Sequence, residues 1–410
     1  MNHPLLVIGG CYVEECAFPR ITSYRGSGLR AAMTVAGLRN GVLLHTVLGP
    51  SLSEHFKEVA ERHKIELSVT TGSQDVWFNY RHPLAVPDIY PAAIKPVEQE
   101  RVTGDLLLVF GMLEGRPRVK GKKVVYDPQD GYRARPFNIN GSSADELAIV
   151  ASFSEGATLT GAETAEQIAA KLLQEENCGC VALKCGPRGA FVATPEDQRW
   201  VRPFASSRVW KIGSGDIFSA AFAHAWLLES LSGVESAAFA SRMVAEYVSS
   251  RNESFSQSAM SEIRADAHDA AATATRESRL IPDVSIYLAG PFFTTGQQWL
   301  VDEARAAFRE LGFKVFSPIH EVGIGPAGQI AHADLEALSR SKLVFAILDG
   351  TDPGTIFEVG YARGRGIPVV GVAENVAAGN LTMLLGSDCG ISDDFATSIY
   401  AACWQLLGDV

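Results

Sequence analysis

The sequence predicts two α/β domains in tandem, each a mainly parallel, doubly wound sheet with helices on its faces, the second smaller than the first. Short apolar runs alternate with helix-period stretches almost from end to end, the pattern of strands joined by crossover helices. A chain of 410 residues exceeds what one hydrophobic core ordinarily serves. The alternation also breaks once, over Ser254–Arg279, where Ser, Ala, Glu and Asp displace large apolar residues before Pro282.

In the first series, strands are expected at Leu5–Ile8, Val42–Val47, Leu106–Phe110, Val124–Tyr126, Val181–Lys184 and Phe191–Ala193. Helices are expected among their connections, as at Ala162–Leu173 and Ile217–Leu228. The polar stretch reads as a linker, compatible with a polar helix, so the boundaries are 1–253, 254–282 and 283–410. The second series runs strand Val284–Ala289, helix Gln297–Leu311, strand Lys314–Phe316, helix Ile330–Leu338. It continues with strand Leu343–Leu348, helix Ile356–Arg363 and strand Pro368–Val372.

Hydrophobic residues at 47% and charged residues at 20% fit a globular chain and argue against disorder. A net charge of −11 disfavours an extended nucleic-acid surface, yet leaves open small anions held by backbone amides. The opening residues, Met1–Gly10, read as a strand and a turn rather than a signal peptide, and no apolar run is long enough to span a membrane. Seven scattered cysteines, an odd number without C-x-x-C spacing, read as reduced thiols. The expected compartment is the cytoplasm.

The segment KIGSGDIFSAAFAHAW, Lys211–Trp226, is the most informative of the first half. Gly213, Ser214 and Gly215 allow a tight turn that aims successive N–H groups at one point, an anion hole. Asp216 stands beside it at a helix start, placed to take a proton from an attacking hydroxyl. A plain loop with an N-cap is the competing account. The segment is similar to the C-terminal signature of PfkB-type carbohydrate kinases, the ribokinase family. By that resemblance Asp216 is the catalytic base, and ATP and Mg2+ are the cofactors.

Further features follow in the family's order over about Met1–Arg251. RGSGLRAAMTVAGLRNG, from Arg25, resembles the Gly-rich substrate motif, which puts Gly26, Gly28 and Arg30 at the substrate. Glu155, in ASFSEGATLTG, resembles the Glu of an N-x-x-E motif linked to magnesium. KCGPRG resembles the turn next to the nucleotide and brings in Lys184, Gly186 and Gly189. Departures are also visible: Glu14 replaces a substrate Asp, Arg30 aligns with an Asn, Ser152 replaces the Asn before Glu155, and Trp210-Lys211 replaces Asp-Thr. They point either to an unusual substrate or to a domain that binds nucleotide without turning it over.

In the second half, strand Val284–Ala289 ends in Gly290-Pro291-Phe292-Phe293, and strand Leu343–Leu348 ends in DGTDPGTIFEVGYA. Strand carboxyl ends are where doubly wound sheets bind ligands, so Asp349, Asp352 and Glu358 gather near an aromatic pair. Asp334 shares a helix face with Ala331, Leu335 and Leu338, an apolar face on which a carboxylate needs a partner or a role. Thr355–Glu358 also fits a capping box, and Asp349 and Asp352 fit ordinary turns. The pattern, with Tyr287–Phe293 (YLAGPFF) and Asn380–Met383 (NLTM), resembles nucleoside 2-deoxyribosyltransferases and nucleotide N-glycosidases over about Val284–Gly386.

That resemblance implies a flavodoxin-like fold, a Glu358 nucleophile forming a glycosyl-enzyme intermediate, and no cofactor. It puts Asp334, Asp349, Asp352, Tyr287, Gly290, Phe292 and Phe293 on the substrate, with Asn380 reaching a neighbouring subunit. Nucleosides or nucleotides and sugars are thus the expected ligands. A homo-oligomer is expected too, its contact including the apolar tail Ile399–Leu407. A kinase-like module gating a nucleotide- or NAD-depleting glycosidase is the alternative to a bifunctional enzyme.

Overall fold

The computed structural model describes residues 4–129 and 133–409. The chain divides into two compact units, Met1–Ser206 with Trp210–Ser278, and Ser207–Val209 with Arg279–Val410.

The first unit contains β1 (Leu5–Ile8), β2 (Val13–Cys16), β3 (Ile21–Tyr24), β4 (Val42–Leu48), β5 (Ile65–Thr71), β6 (Trp77–Tyr80) and β7 (Asp88–Tyr90). It continues with β8 (Val102–Phe110), β9 (Val119–Asp127), β10 (Ser143–Ser152), β11 (Cys180–Lys184), β12 (Ala190–Ala193) and β13 (Gln198–Val201). Nine of them form one sheet, in the order β13-β12-β11-β10-β9-β8-β1-β4-β5. Its pairs are parallel except those made by β12. β1, Leu-Leu-Val-Ile, is buried along its whole length, as a central strand covered on both faces must be. A separate four-stranded sheet, β3-β2-β6-β7, carries Glu14 on β2.

All six strands expected in this half are present, the outer ones longer than their apolar runs. The polar stretch read as a linker forms the helix Gln257–Ala272. Ile263 and Ala267, one turn apart, are buried in this unit's core, which is how so polar a helix packs.

The second unit contains β14 (Ser285–Ala289), β15 (Lys314–Phe316), β16 (Leu343–Ile347), β17 (Val369–Val372) and β18 (Gly390–Ser392). Their order is β15-β14-β16-β17-β18 and every pair is parallel, the flavodoxin-like arrangement, whose ligands bind beyond the strand carboxyl ends. The tail expected as a subunit contact lies in the helix Phe395–Leu407, with Ile399, Ala402, Cys403 and Trp404 buried within this chain and Leu406 and Leu407 half-buried. All seven cysteines are buried and none is in a disulfide, and no helix among the described residues is long and apolar enough to cross a membrane.

Candidate active sites

In the first unit, residues at or just beyond the carboxyl ends of β9 and β11 meet the start of the helix Ser214–Ala223. Gly213 caps that helix at φ +77°, a region that suits glycine, and a Cβ there would strike the Arg30 guanidinium at 2.3 Å. Gly28 starts its own helix hard against β1, since a Cβ on it would lie 2.5 Å from the Gly9 carbonyl. The first-turn amides of Ser214–Ala223 make an anion-binding end, with the Lys184 ammonium close to Gly215.

Lys184 donates to Asp127 Oδ2 at 2.6 Å, and the Ser219 hydroxyl donates to the same oxygen at 2.6 Å. Burial pushes the Asp127 carboxyl up to about 6, against the pull of the Lys184 ammonium. Gly186 and Gly189, both at positive φ, bracket the turn that follows Lys184. Glu155 sits in a capping box, accepting from the Ser152 amide at 2.7 Å while its own amide donates to Ser152 Oγ. No cluster of three or more metal-ligating side chains forms among the described residues.

Asp216 does not stand alone. Its Oδ2 accepts from Arg30 Nη1 at 2.7 Å and its Oδ1 from Gln129 Nε2 at 2.8 Å. Arg30 also forks onto both carboxylate oxygens of Glu14 through Nη1 and Nη2. The three side chains are buried, with exposures of 7% at Glu14, 2% at Arg30 and 9% at Asp216. Burial raises the Asp216 carboxyl above its ordinary range, and the Arg30 guanidinium works against that rise. Glu14, Arg30 and Asp216, read from separate segments, thus meet in one place.

In the second unit, a cavity of about 250 Å³ opens at the sheet's carboxyl edge. Gly290, Phe292, Phe293, Ser317, Asp334, Asp352 and Glu358 are among its lining residues. The Phe292 and Phe293 rings lie 5.0 Å apart, a tilted pair. Glu358 Oε1 accepts from the Tyr287 hydroxyl at 2.5 Å, and the Tyr287 ring is fully buried against Phe316. Burial pushes the Glu358 carboxyl up to about 7; Tyr287 opposes this, while the Asp334 and Asp352 charges add to it.

The helix Pro353–Gly364 is capped by Asp352, whose Oδ2 accepts from the Thr355 amide at 2.7 Å and hydroxyl at 2.9 Å. Thr355 is therefore inside the helix, and the expected Thr355–Glu358 capping box does not form. Glu358 is free of helix duties and faces the cavity. Asp334, on the helix Ala327–Arg340, is 9% exposed, with Oδ1 buried and unpartnered among the described residues. Asp349 lies outside the lining and clamps a loop, accepting from the Glu374 and Asn375 amides at 3.0 and 2.6 Å. Asn380 is exposed and also away from the lining.

Sequence reasoning missed Asp127, Gln129 and Ser219 in the first site, and Ser317–Ile319 in the second. Asp127 had a signal: an acid closing the apolar run Val124–Tyr126, like Asp349 after its own strand. Gln129 and Ser317 had none.

A family model for nucleoside 2-deoxyribosyltransferase matches residues 286–392, and one for pfkB family carbohydrate kinase matches residues 146–260. No curated protein matches the chain. Among solved structures, phosphofructokinase-2 from Escherichia coli, solved with potassium, is similar at 13% identity with a TM-score of 0.50. That alignment covers 65% of this chain and 100% of the other. A fructokinase double mutant from Vibrio cholerae, holding fructose, ADP and potassium, is similar at 15% identity with a TM-score of 0.50, over 64% and 99% of the two chains. Such likenesses establish the fold of the N-terminal unit. The chain thus carries a PfkB/ribokinase-like carbohydrate kinase domain fused to a nucleoside 2-deoxyribosyltransferase-like domain.

Proposed function

We propose that the C-terminal domain cleaves or transfers the N-glycosidic bond of a nucleoside or nucleotide through Glu358. The observation that carries this is the Glu358 carboxylate facing the cavity, with Tyr287 as its hydrogen-bond donor and no part in capping its helix. Tyr287 fixes Oε1 and leaves Oε2 for the anomeric carbon. As the C–O bond forms, the C–N bond breaks and its electron pair leaves with the base. Asp334, whose carboxyl burial holds above its ordinary range, supplies the proton that the departing nitrogen takes. Water or a second base then releases the sugar from Glu358. Incubating the protein with a panel of nucleosides, nucleotides and NAD, and measuring released base, tests the reading. Turnover by Glu358→Gln at the parent rate would remove Glu358 from it.

For the N-terminal domain, the arrangement fits an anionic donor at Gly213–Gly215 and Lys184. ATP with Mg2+ would supply the phosphoryl group there. Asp216 would take the proton of a sugar or nucleoside hydroxyl. One observation favours a second reading, in which the domain binds nucleotide without transfer and gates a nucleotide- or NAD-depleting glycosidase. The Arg30 guanidinium lies against Asp216 Oδ2, where an acceptor hydroxyl would have to sit. Phosphoryl transfer from labelled ATP, lost in Asp216→Asn while base release persists, supports the kinase reading. ATP binding without transfer to any sugar or nucleoside supports the second.

We also infer a cytoplasmic homo-oligomer. Met383, 82% exposed, and Leu385, 51% exposed, flank a segment whose Asn380 does not reach this chain's own cavity. A sedimentation experiment that finds a monomer still releasing base would refute a shared site.

A further inference from the structure

We propose that the glycosidic cavity selects its ligand by positive charge, preferring nucleosides whose base carries a fixed cation, such as an N-ribosyl pyridinium, over uncharged isosteres and over phosphorylated forms. The inference rests on reading the cavity as the base-and-sugar site. Its lining contains the carboxyl groups of Asp334, Asp352 and Glu358 and no Lys, Arg or His. Two basic side chains on the flanking segments are already engaged, while His332, on the helix that carries Asp334, is exposed. Arg305 pairs with Glu321 at 3.0 Å, and His320 pairs with Asp302 at 3.0 Å and meets Ser317 Oγ at 2.9 Å.

The partners given to the three acids are neutral. Tyr287 donates to Glu358, and the Thr355 amide and hydroxyl donate to Asp352. Asp334 Oδ1 is buried without any partner, an uncommon state that a ligand donor or cation would relieve. Carboxylates taken out of water without a counter-charge favour whatever brings one, and a phosphate would add to the imbalance. At the same edge, Phe292 and Phe293 offer ring faces to a flat cation. The arrangement also suits bond cleavage, in which positive charge builds on the anomeric carbon.

The test is calorimetric binding of nicotinamide and of its N-methyl cation to the full-length protein, since the two rings differ chiefly in charge. At about pH 8 the cation is expected to bind about tenfold more tightly or better. The preference should shrink toward about pH 6, as the Glu358 carboxyl takes up its proton, and in Asp334→Asn. Should that variant fail to fold, Asp352→Asn serves, because Asn caps a helix as well as Asp. Equal binding, tighter binding of the neutral ring, or a preference indifferent to both variants would overturn the proposal. The readout is independent of turnover. Base release from uncharged nucleosides without a charge preference would sink this inference and leave the glycosidase reading intact.

Discussion

Both domains carry a helix carboxylate at the candidate site, Asp216 buried and Glu358 half-buried, but they partner it oppositely. Glu358 receives one neutral hydrogen bond, from Tyr287, and faces open volume. Asp216 receives a guanidinium on one oxygen and an amide on the other, and its guanidinium is held from behind by Glu14. A carboxylate with one neutral donor keeps its lone pairs and its affinity for a proton or an electrophilic carbon. One clamped by a buried ion pair does not present them until the clamp moves. The difference lies in the partners, so changing partners should reveal it.

The largest expected effect is on the open site. Glu358→Gln keeps the shape and the acceptor for Tyr287 but removes the nucleophilic oxygen, so base release should fall by about a thousandfold or more. Because Glu358 caps nothing, the variant's melting temperature at about pH 4, where Glu358 is neutral, should stay close to the parent's. A capping role would have shown the reverse, with Gln serving as well as Glu.

On the clamped side, Arg30→Gln should act on stability first. It leaves Glu14 and Asp216 buried without their counter-charge, which typically costs about 3–5 kcal/mol. Urea unfolding monitored on the N-terminal unit measures this. A change below about 1 kcal/mol would mean the ion pair is not held as the geometry shows.

What the sequence disclosed about each region tracks the same physics. Most of the parallel strands were legible because burial on both faces turns them into apolar runs, such as Leu5–Ile8 and Leu343–Ile347, whereas β5, β10 and β18 were not read. The small sheet was not, because β2 reads Val-Glu-Glu-Cys: Val13 and Cys16 are buried, but between them Glu14 is held by Arg30, which no apolar run announces. Asp334 was legible as a carboxylate on an apolar helix face. The helix Gln257–Ala272 was legible as a polar helix, but its docking was not, because it rests on only two buried residues, Ile263 and Ala267. Arg30 was recognised as a departure from its family. Its ion pair with Asp216, 186 positions away, left no trace in either segment.

A moderate effect is expected from pH. Burial pushes the Glu358 carboxyl up to about 7 from its ordinary 4.5, and the reaction needs the anion. On its acid side, kcat/KM should therefore fall about tenfold per unit below about pH 7. The stability contribution runs the other way. A carboxyl raised on folding favours the fold fully below its unfolded value, and that contribution is lost as pH rises through about 7. Activity and this part of the stability should move in opposite directions with pH. In Glu358→Gln the stability trend should flatten; a trend unchanged in that variant would assign it to another group.

The smallest and most diagnostic change is Tyr287→Phe. The Tyr287 ring is fully buried and stacks on Phe316 at 5.7 Å and 18°, so Phe fills the same space and packing survives. Only the hydroxyl is lost. That hydroxyl donates to Glu358 and holds its carboxyl lower than burial alone would. A hydrogen bond to a charged group contributes about 1.5–3 kcal/mol, so its loss should move the acid limb of kcat/KM up by about one unit or more. At about pH 9, well above the shifted limb, the variant should recover most of the parent rate, because the nucleophile is again ionised. Three outcomes separate three roles. A shifted limb with recovery at high pH means Tyr287 tunes Glu358. A loss of equal size at every pH means its hydroxyl touches the substrate or orients Oε2. No change at all means the hydroxyl only satisfies its own buried donor, and Glu358 would need no neutral partner to be the open half of the comparison.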